Sequence, residues 1–245
     1  MLIDTHFHLD LMENMQALIH DLYISDVGVI AVGTTPKAYE RETQFCSGNK
    51  NIKVGLGLHP QLILDRSEEI SEFLSYLPQS RYIGEIGLDF NSAYMPSKEK
   101  QVECFRKIIQ SCASQGNKVL SIHSVKAVKN VISELEAAGT FRTCKCIFHW
   151  FTGTDAERNR AIANGAFFSI NPRMLRTKSG QDTIKMLPKE SILLETDAPF
   201  TKKFSSIRDL KSELTHMVDK ISELREQEMY EIIECNSAAI WGEPV

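Results

Sequence analysis

Eight short apolar runs, each followed by a longer amphipathic stretch, recur along this 245-residue chain and leave few architectures open. The runs read as strands at Leu2–Thr5, Val29–Val32, Ile52–Leu56, Tyr82–Ile86, Val119–Ile122, Cys144–Phe148, Ala166–Ile170 and Ile192–Glu195. Helical spacing of apolar residues predicts helices over Met12–Ser25, Lys37–Cys46, Ser67–Leu77, Lys98–Gln115, Lys126–Ala137, Asp155–Asn164 and Gln181–Met186. Two further helices, about Ile207–Leu224 and Glu226–Ala239, follow the last strand. Alternating strands and helices build a parallel sheet. Eight such units close it into a TIM (β/α)8 barrel. No long linker or low-complexity segment interrupts the pattern, so residues 1–245 are expected to form one domain. The rival, an open doubly wound sheet, lacks its Gly-rich phosphate loop after the first strand.

Local signals sharpen the boundaries. Ser97 before Lys98-Glu99-Lys100 reads as a helix N-cap with an acid in the first turn. Gly116, Gly139 and Gly165 stand just past helix ends, where a left-handed residue is wanted. Gly55-Leu-Gly57 at the end of a strand suggests close approach of neighbouring groups.

Charge narrows the partners. With 28 basic and 32 acidic residues the net charge is −4, so the chain as a whole does not attract nucleic acid. Contact with phosphate has to come from a metal or a local basic patch. None of the six cysteines forms a C-x-x-C pair, which predicts free core thiols in a reducing cytosol, with Cys144 and Cys146 on one face of a strand. The opening Met1-Leu-Ile-Asp-Thr-His6 has no basic n-region or long apolar run. A cytoplasmic location, without secretory signal or membrane span, is therefore expected.

The polar residues share one address. His6 and His8 follow the first predicted strand, His59 follows the third, Glu85 ends the fourth, His123 the fifth and His149 the sixth, and Asp197 follows the eighth. Only His20 and His216 fall elsewhere, on helices. In a barrel, catalytic groups gather at the C-terminal strand ends. The spacing of His6 and His8 sends both rings to the same side of a strand. Glu85, an acid within an apolar strand, needs a cation or hydrogen bonds. Four histidines and two carboxylates suffice for two divalent ions, with Glu85 placed to bridge them and Asp197 to ligate one and act as general base. The donors suit Zn²⁺, Mn²⁺, Fe²⁺ or weakly held Mg²⁺.

These residues also carry a family likeness. Asp4-Thr-His6-Phe-His8-Leu-Asp10, Gly57-Leu-His59-Pro60, Gly84-Glu85-Ile-Gly87-Leu-Asp89, His149-Trp-Phe-Thr-Gly153 and Leu194-Glu-Thr-Asp197-Ala-Pro199 resemble the ordered signature blocks of the TatD family of metal-dependent deoxyribonucleases, and Asn236 resembles its C-terminal Asn block. The resemblance implies an amidohydrolase-type barrel with two divalent ions, and hydrolysis of DNA, commonly 3′-to-5′ from single strands or 3′ ends. It implies His6, His8 and Asp197 for one ion, His123 and His149 for the other, and Glu85 between them. His59 matches a position that contacts the scissile phosphate. Gly57-Leu-His-Pro-Gln61, Lys118–Val125, His149–Gly153, Phe168–Asn171 and Thr196–Thr201 further resemble the TatD-like component of the bacterial Qat antiphage defence system, implying partners in a defence complex.

Two segments depart from the family. Val125 and Lys126 stand where many members have an Arg, and Phe200–Ile207 replaces a Pro-rich segment with an Arg-Asn-x-Pro run. Lys126, Arg173, Arg176, Lys202 and Lys203 are candidates to contact substrate phosphates at the mouth instead. Trp150 and Phe151 are read either as stacking platforms for a base or as core. The competing functions are a small-molecule amidohydrolase or esterase on the same barrel, and a complex subunit with weak or no catalysis.

Overall fold

In the computed structural model, which describes residues 1–242, eight parallel strands close into a barrel in strict chain order. They are β1 (Leu2–Phe7), β2 (Val27–Val32), β3 (Ile52–Leu56), β4 (Tyr82–Gly87), β5 (Val119–His123), β6 (Lys145–His149), β7 (Phe167–Ile170) and β8 (Ile192–Leu194). Pairing of Asp4 with Leu194 shuts the barrel between β1 and β8. The expected domain ran to residue 245; residues 243–245 lie outside the described residues.

Every predicted strand is present, with small differences at the ends. β1 runs on to Phe7, which pairs with Ala31 after a shift in register, so His6 lies within the strand. β6 starts at Lys145, leaving Cys144 before the strand although both Cys144 and Cys146 are buried. All six cysteines are free, but Cys235 is exposed rather than in the core. β8 stops at Leu194, so Glu195 stands beyond it.

The helices follow the expected faces. Lys98–Gln115 buries Gln101, Cys104, Phe105, Ile108, Ile109 and Cys112, the stripe of a helix laid on a barrel. Ser97 precedes it but does not cap it: its hydroxyl donates to the Tyr94 carbonyl and accepts from Gln101. A reciprocal capping box is found instead at Thr154 and Glu157. Gly116, Gly139 and Gly165 all take positive φ, as their positions after helices require.

Period-two alternation puts Val119, Ser121 and His123 on one side of β5, and Ile147 and His149 on one side of β6. At one end, Ile30, Val32, Tyr82, Val119, Ile147 and Leu193 pack with Ile240 and Trp241 of the last helix, Tyr230–Trp241. The Tyr82 hydroxyl donates to the Trp241 carbonyl. Polar groups collect toward the opposite mouth. Glycine spacing permits this closure: a Cβ on Gly57 would lie 1.7 Å from the Gly33 carbonyl oxygen and 2.8 Å from the Glu85 nitrogen.

Candidate active site

The strand ends bring His6, His8, His59, Glu85, His123, His149 and Asp197 to one mouth of the barrel, where all but His59 are buried. Lys126, Trp150 and Asp197, each just past a strand, take positive φ of 52°, 40° and 52°. Left-handed non-glycine residues are strained, and such strain gathers at functional sites.

Four donor atoms meet at the centre. His6 Nε2 and His8 Nε2 are 3.2 Å apart and lie 3.3 and 3.4 Å from Glu85 Oε2. Their distances to Asp197 Oδ1 are 3.8 and 3.5 Å. Ligands held about 2.0–2.2 Å from a tetrahedral ion lie about 3.3–3.6 Å from one another. The spacing of His6, His8 and Glu85 therefore fits a metal site, with Asp197 Oδ1 within 3.8 Å of both rings. The other Glu85 oxygen, Oε1, faces a second group: His123 Nδ1 at 2.7 Å, His59 Nε2 at 3.2 Å and His149 Nε2 at 3.4 Å.

The far nitrogens of the rings decide what each can do. His6 Nδ1 pairs with the Ser121 hydroxyl at 2.7 Å, His149 Nδ1 donates to Glu195 at 3.2 Å and His123 Nε2 donates to Asp89 at 3.0 Å. Each partner fixes the orientation of its ring and turns the other nitrogen toward the centre, the usual way a ligating imidazole is oriented. His59 is wired the opposite way. Its Nδ1 accepts the Gln61 backbone N–H at 3.2 Å, so the neutral ring carries its proton on Nε2. His59 thus offers a donor to the centre, not a lone pair.

The electrostatics ask for positive charge. Burial opposes ionisation of Glu85, yet the histidines packed around it, with the His123 hydrogen bond, outweigh it and hold the carboxyl well below its ordinary range. Burial drives His6 down to about 3 and lowers His59. Burial also opposes charge on His8, but Asp197 and Glu85 prevail and raise it to about 9. For His149, Glu195 and Glu85 likewise overcome burial and raise it to about 10. Among the described residues, no Lys or Arg pairs with Glu85, Asp89, Glu195 or Asp197. Buried carboxylates without basic side chains suit cations bound directly.

A cavity of about 390 Å³ opens over this floor, walled by Gln61, Val125, Trp150, Thr152 and Phe200. None of the five candidate phosphate contacts lines it. Lys202 pairs with Glu213 at 2.7 Å and Lys203 with Glu13 at 2.6 Å. Arg173 lies over the Trp150 ring, 5.4 Å from its centroid. Lys126 and Arg176 are exposed on the rim loops. The two aromatics after His149 divide: Phe151 is buried against Phe148 and Phe168, whereas Trp150 is half-buried and faces the cavity.

Sequence reasoning missed the residues behind the ligands. Glu195 accepts from His149, from the Trp150 N–H at 3.0 Å, from Asn171 at 3.0 Å and from Ser169. Asp89 holds His123 and receives Gln61 at 2.8 Å. Asp4, pushed up to about 7 by burial, accepts the Thr196 N–H at 3.0 Å and fixes the turn into Asp197. The available signal was position: Glu195 is two residues before Asp197, and Asp89 two past the end of β4.

A family model described as "TatD related DNase" matches residues 3–242. The chain is 27% identical over 243 residues to the uncharacterized metal-dependent hydrolase YabD of Bacillus subtilis, covering 95% of this chain and 94% of that one. It is 26% identical to the human deoxyribonuclease TATDN3, over 95% of this chain and 90% of the relative. Against the 3′-5′ ssDNA/RNA exonuclease TatD of Escherichia coli it is 26% identical, over 81% and 80%. In three dimensions it resembles the E. coli TatD homologue YJJV with a TM-score of 0.81 and 22% identity, over 99% of this chain and 98% of that one.

Proposed function

The chain belongs to the TatD-related DNase family of metal-dependent hydrolases, and from that premise we propose that its centre hydrolyses phosphodiester bonds at single-stranded 3′ ends of DNA. The carrying observation is the His6–His8–Glu85–Asp197 donor cluster, sharing Glu85 with the His123–His149 group. In this reading His6, His8 and Asp197 would hold one divalent ion and His123 and His149 a second, with Glu85 available to either. Bound cations would polarise a phosphoryl oxygen and acidify water.

The chain's own groups supply the rest. Asp197 lines the cavity and accepts the proton of the attacking water. His59, fixed as an Nε2–H donor, stabilises charge growing on a non-bridging phosphate oxygen. Glu195, Asp89 and Ser121 hold His149, His123 and His6 in register. Lys126 and Arg176 are left to meet flanking phosphates, and Lys202, Lys203 and Arg173 to do so only on exchanging their present partners. The whole span 1–245 works as one catalytic domain. The location proposed is the cytoplasm; no helix among the described residues is long and apolar enough to cross a membrane. The resemblance of several blocks to the TatD-like Qat component supports, as part of this proposal, a setting in antiphage defence.

Metal content and digestion of a 3′-labelled oligonucleotide, measured on wild type and Glu85→Ala, test the reading. Wild type is expected to carry ions and release mononucleotides, losing this with a chelator, and the variant to do neither. Equal digestion by both proteins sinks the mechanism. Cleavage of lactones or phosphotriesters in place of DNA selects the small-molecule hydrolase instead, and phage resistance retained by Glu85→Gln and Asp197→Asn selects a non-catalytic subunit.

A further inference from the structure

The cavity wall offers aromatic rings where free cations were expected. Phe200 is 56% exposed at the rim of the polar centre. It stands edge-on to His8, with ring centroids 5.1 Å apart, and shares the cavity with Trp150. Trp150 is anchored by its backbone N–H on Glu195, and its ring stands perpendicular to that of His149 at 6.4 Å. Arg173 links the two residues. Its guanidinium covers Trp150, and its Nη2 donates to the Phe200 carbonyl at 3.0 Å.

We propose that Trp150 and Phe200 form a seat for one unstacked nucleobase of a single-stranded substrate, on the nucleotide next to the bond being cut, with Arg173 as the residue that positions both rings. This rests on the nuclease reading above. Both rings adjoin histidines of the centre and share its cavity with Glu85, so a base stacked on them lies beside the reacting groups. A cavity of about 390 Å³ is of the order of a single nucleotide, so the base taken up there is an unstacked one. Stacking is blind to base identity because every base has a π-face, so the seat selects for the presence of a base and not for sequence. Arg173, held in a cation–π contact and a backbone hydrogen bond, serves the substrate through the rings.

The test compares kcat/KM on a single-stranded oligonucleotide with that on the same strand carrying abasic 3′-terminal residues. Wild type is expected to favour the base-bearing strand by roughly five- to 150-fold. Phe200→Ala and Trp150→Ala should each collapse that ratio toward one, with Phe200→Tyr restoring it. Arg173→Ala should raise KM on the base-bearing strand while leaving its kcat close to wild type. If wild type cuts both strands equally, or if the variants slow both equally, the seat is refuted while the nuclease reading stands. If wild type cuts neither strand, the nuclease reading fails and the seat falls with it.

Discussion

Glu195 reaches behind His149 and holds it together with its neighbour: Oε2 accepts from the His149 ring Nδ1 at 3.2 Å, and Oε1 accepts the Trp150 N–H at 3.0 Å. One buried carboxylate therefore sets both the direction of a candidate ligand and the start of the cavity wall. Ser169 and Asn171, from β7 and the turn after it, complete its hydrogen bonds. A carboxylate so placed sharpens the imidazole lone pair and keeps the proton on the far nitrogen.

Glu195→Gln keeps the volume and one oxygen but removes the charge. It is expected to weaken metal affinity by about 10- to 100-fold, the usual cost of losing such a partner. Competition with a chromogenic chelator measures this, and circular dichroism should show an unchanged fold. Unaltered affinity would mean that His149 does not ligate.

His59 gives a different signature. Because the Gln61 N–H occupies its Nδ1, its Nε2–H can donate but cannot ligate without a tautomer change. His59→Ala should lower kcat by about 10²- to 10³-fold, the effect of deleting one preorganised donor. Metal content should stay at the wild-type value. A parallel fall in metal content would reassign His59 as a ligand.

Backbone packing beneath the site is equally strict. A Cβ on Gly57 would enter the Gly33 carbonyl, which also accepts the Glu85 N–H at 2.8 Å. Neither strand can yield without moving the other, so Gly57→Ala is expected to cost about 3 kcal/mol or more by overpacking. Urea unfolding reads the loss, and metal affinity should fall with it as Glu85 shifts. A variant of wild-type stability would show that β3 and β4 have slack here.

The barrel and the candidate ligands were legible because each left a one-dimensional trace. Apolar runs marked all eight strands, and period two placed His6 and His8 together. What was not legible depended on partners far apart in the chain. Lys202 and Lys203 read as free cations until Glu213 and Glu13 came beside them. Arg173 read as a phosphate contact until the β7 loop laid it on Trp150. Ser97 had the right residue type for a cap, but Gln101 and Tyr94 claimed its hydroxyl. Thr154-x-x-Glu157 was readable as a capping box and was passed over. Glu195 was overlooked because Asp197, two residues on, better matched a ligand.

One buried acid makes a prediction about pH. Glu42, on the helix Pro36–Phe45, is buried with neither carboxylate oxygen hydrogen-bonded to the chain. Burial, aided by the nearby Asp10, pushes it up to about 8 from an ordinary value of 4.5. The folded chain therefore binds more protons than the unfolded chain between these values, so stability falls as pH rises through that window. Below about pH 4.5 both states hold the proton and the penalty vanishes; above about pH 8 it is complete, on the order of a few kcal/mol at most. Glu42→Gln removes the titration, so its Tm should exceed that of wild type at pH 8.5 and converge with it near pH 4.5. Thermal unfolding of both proteins at the two pH values checks this. A difference in Tm that is the same at both would show that charge burial at Glu42 is not its source.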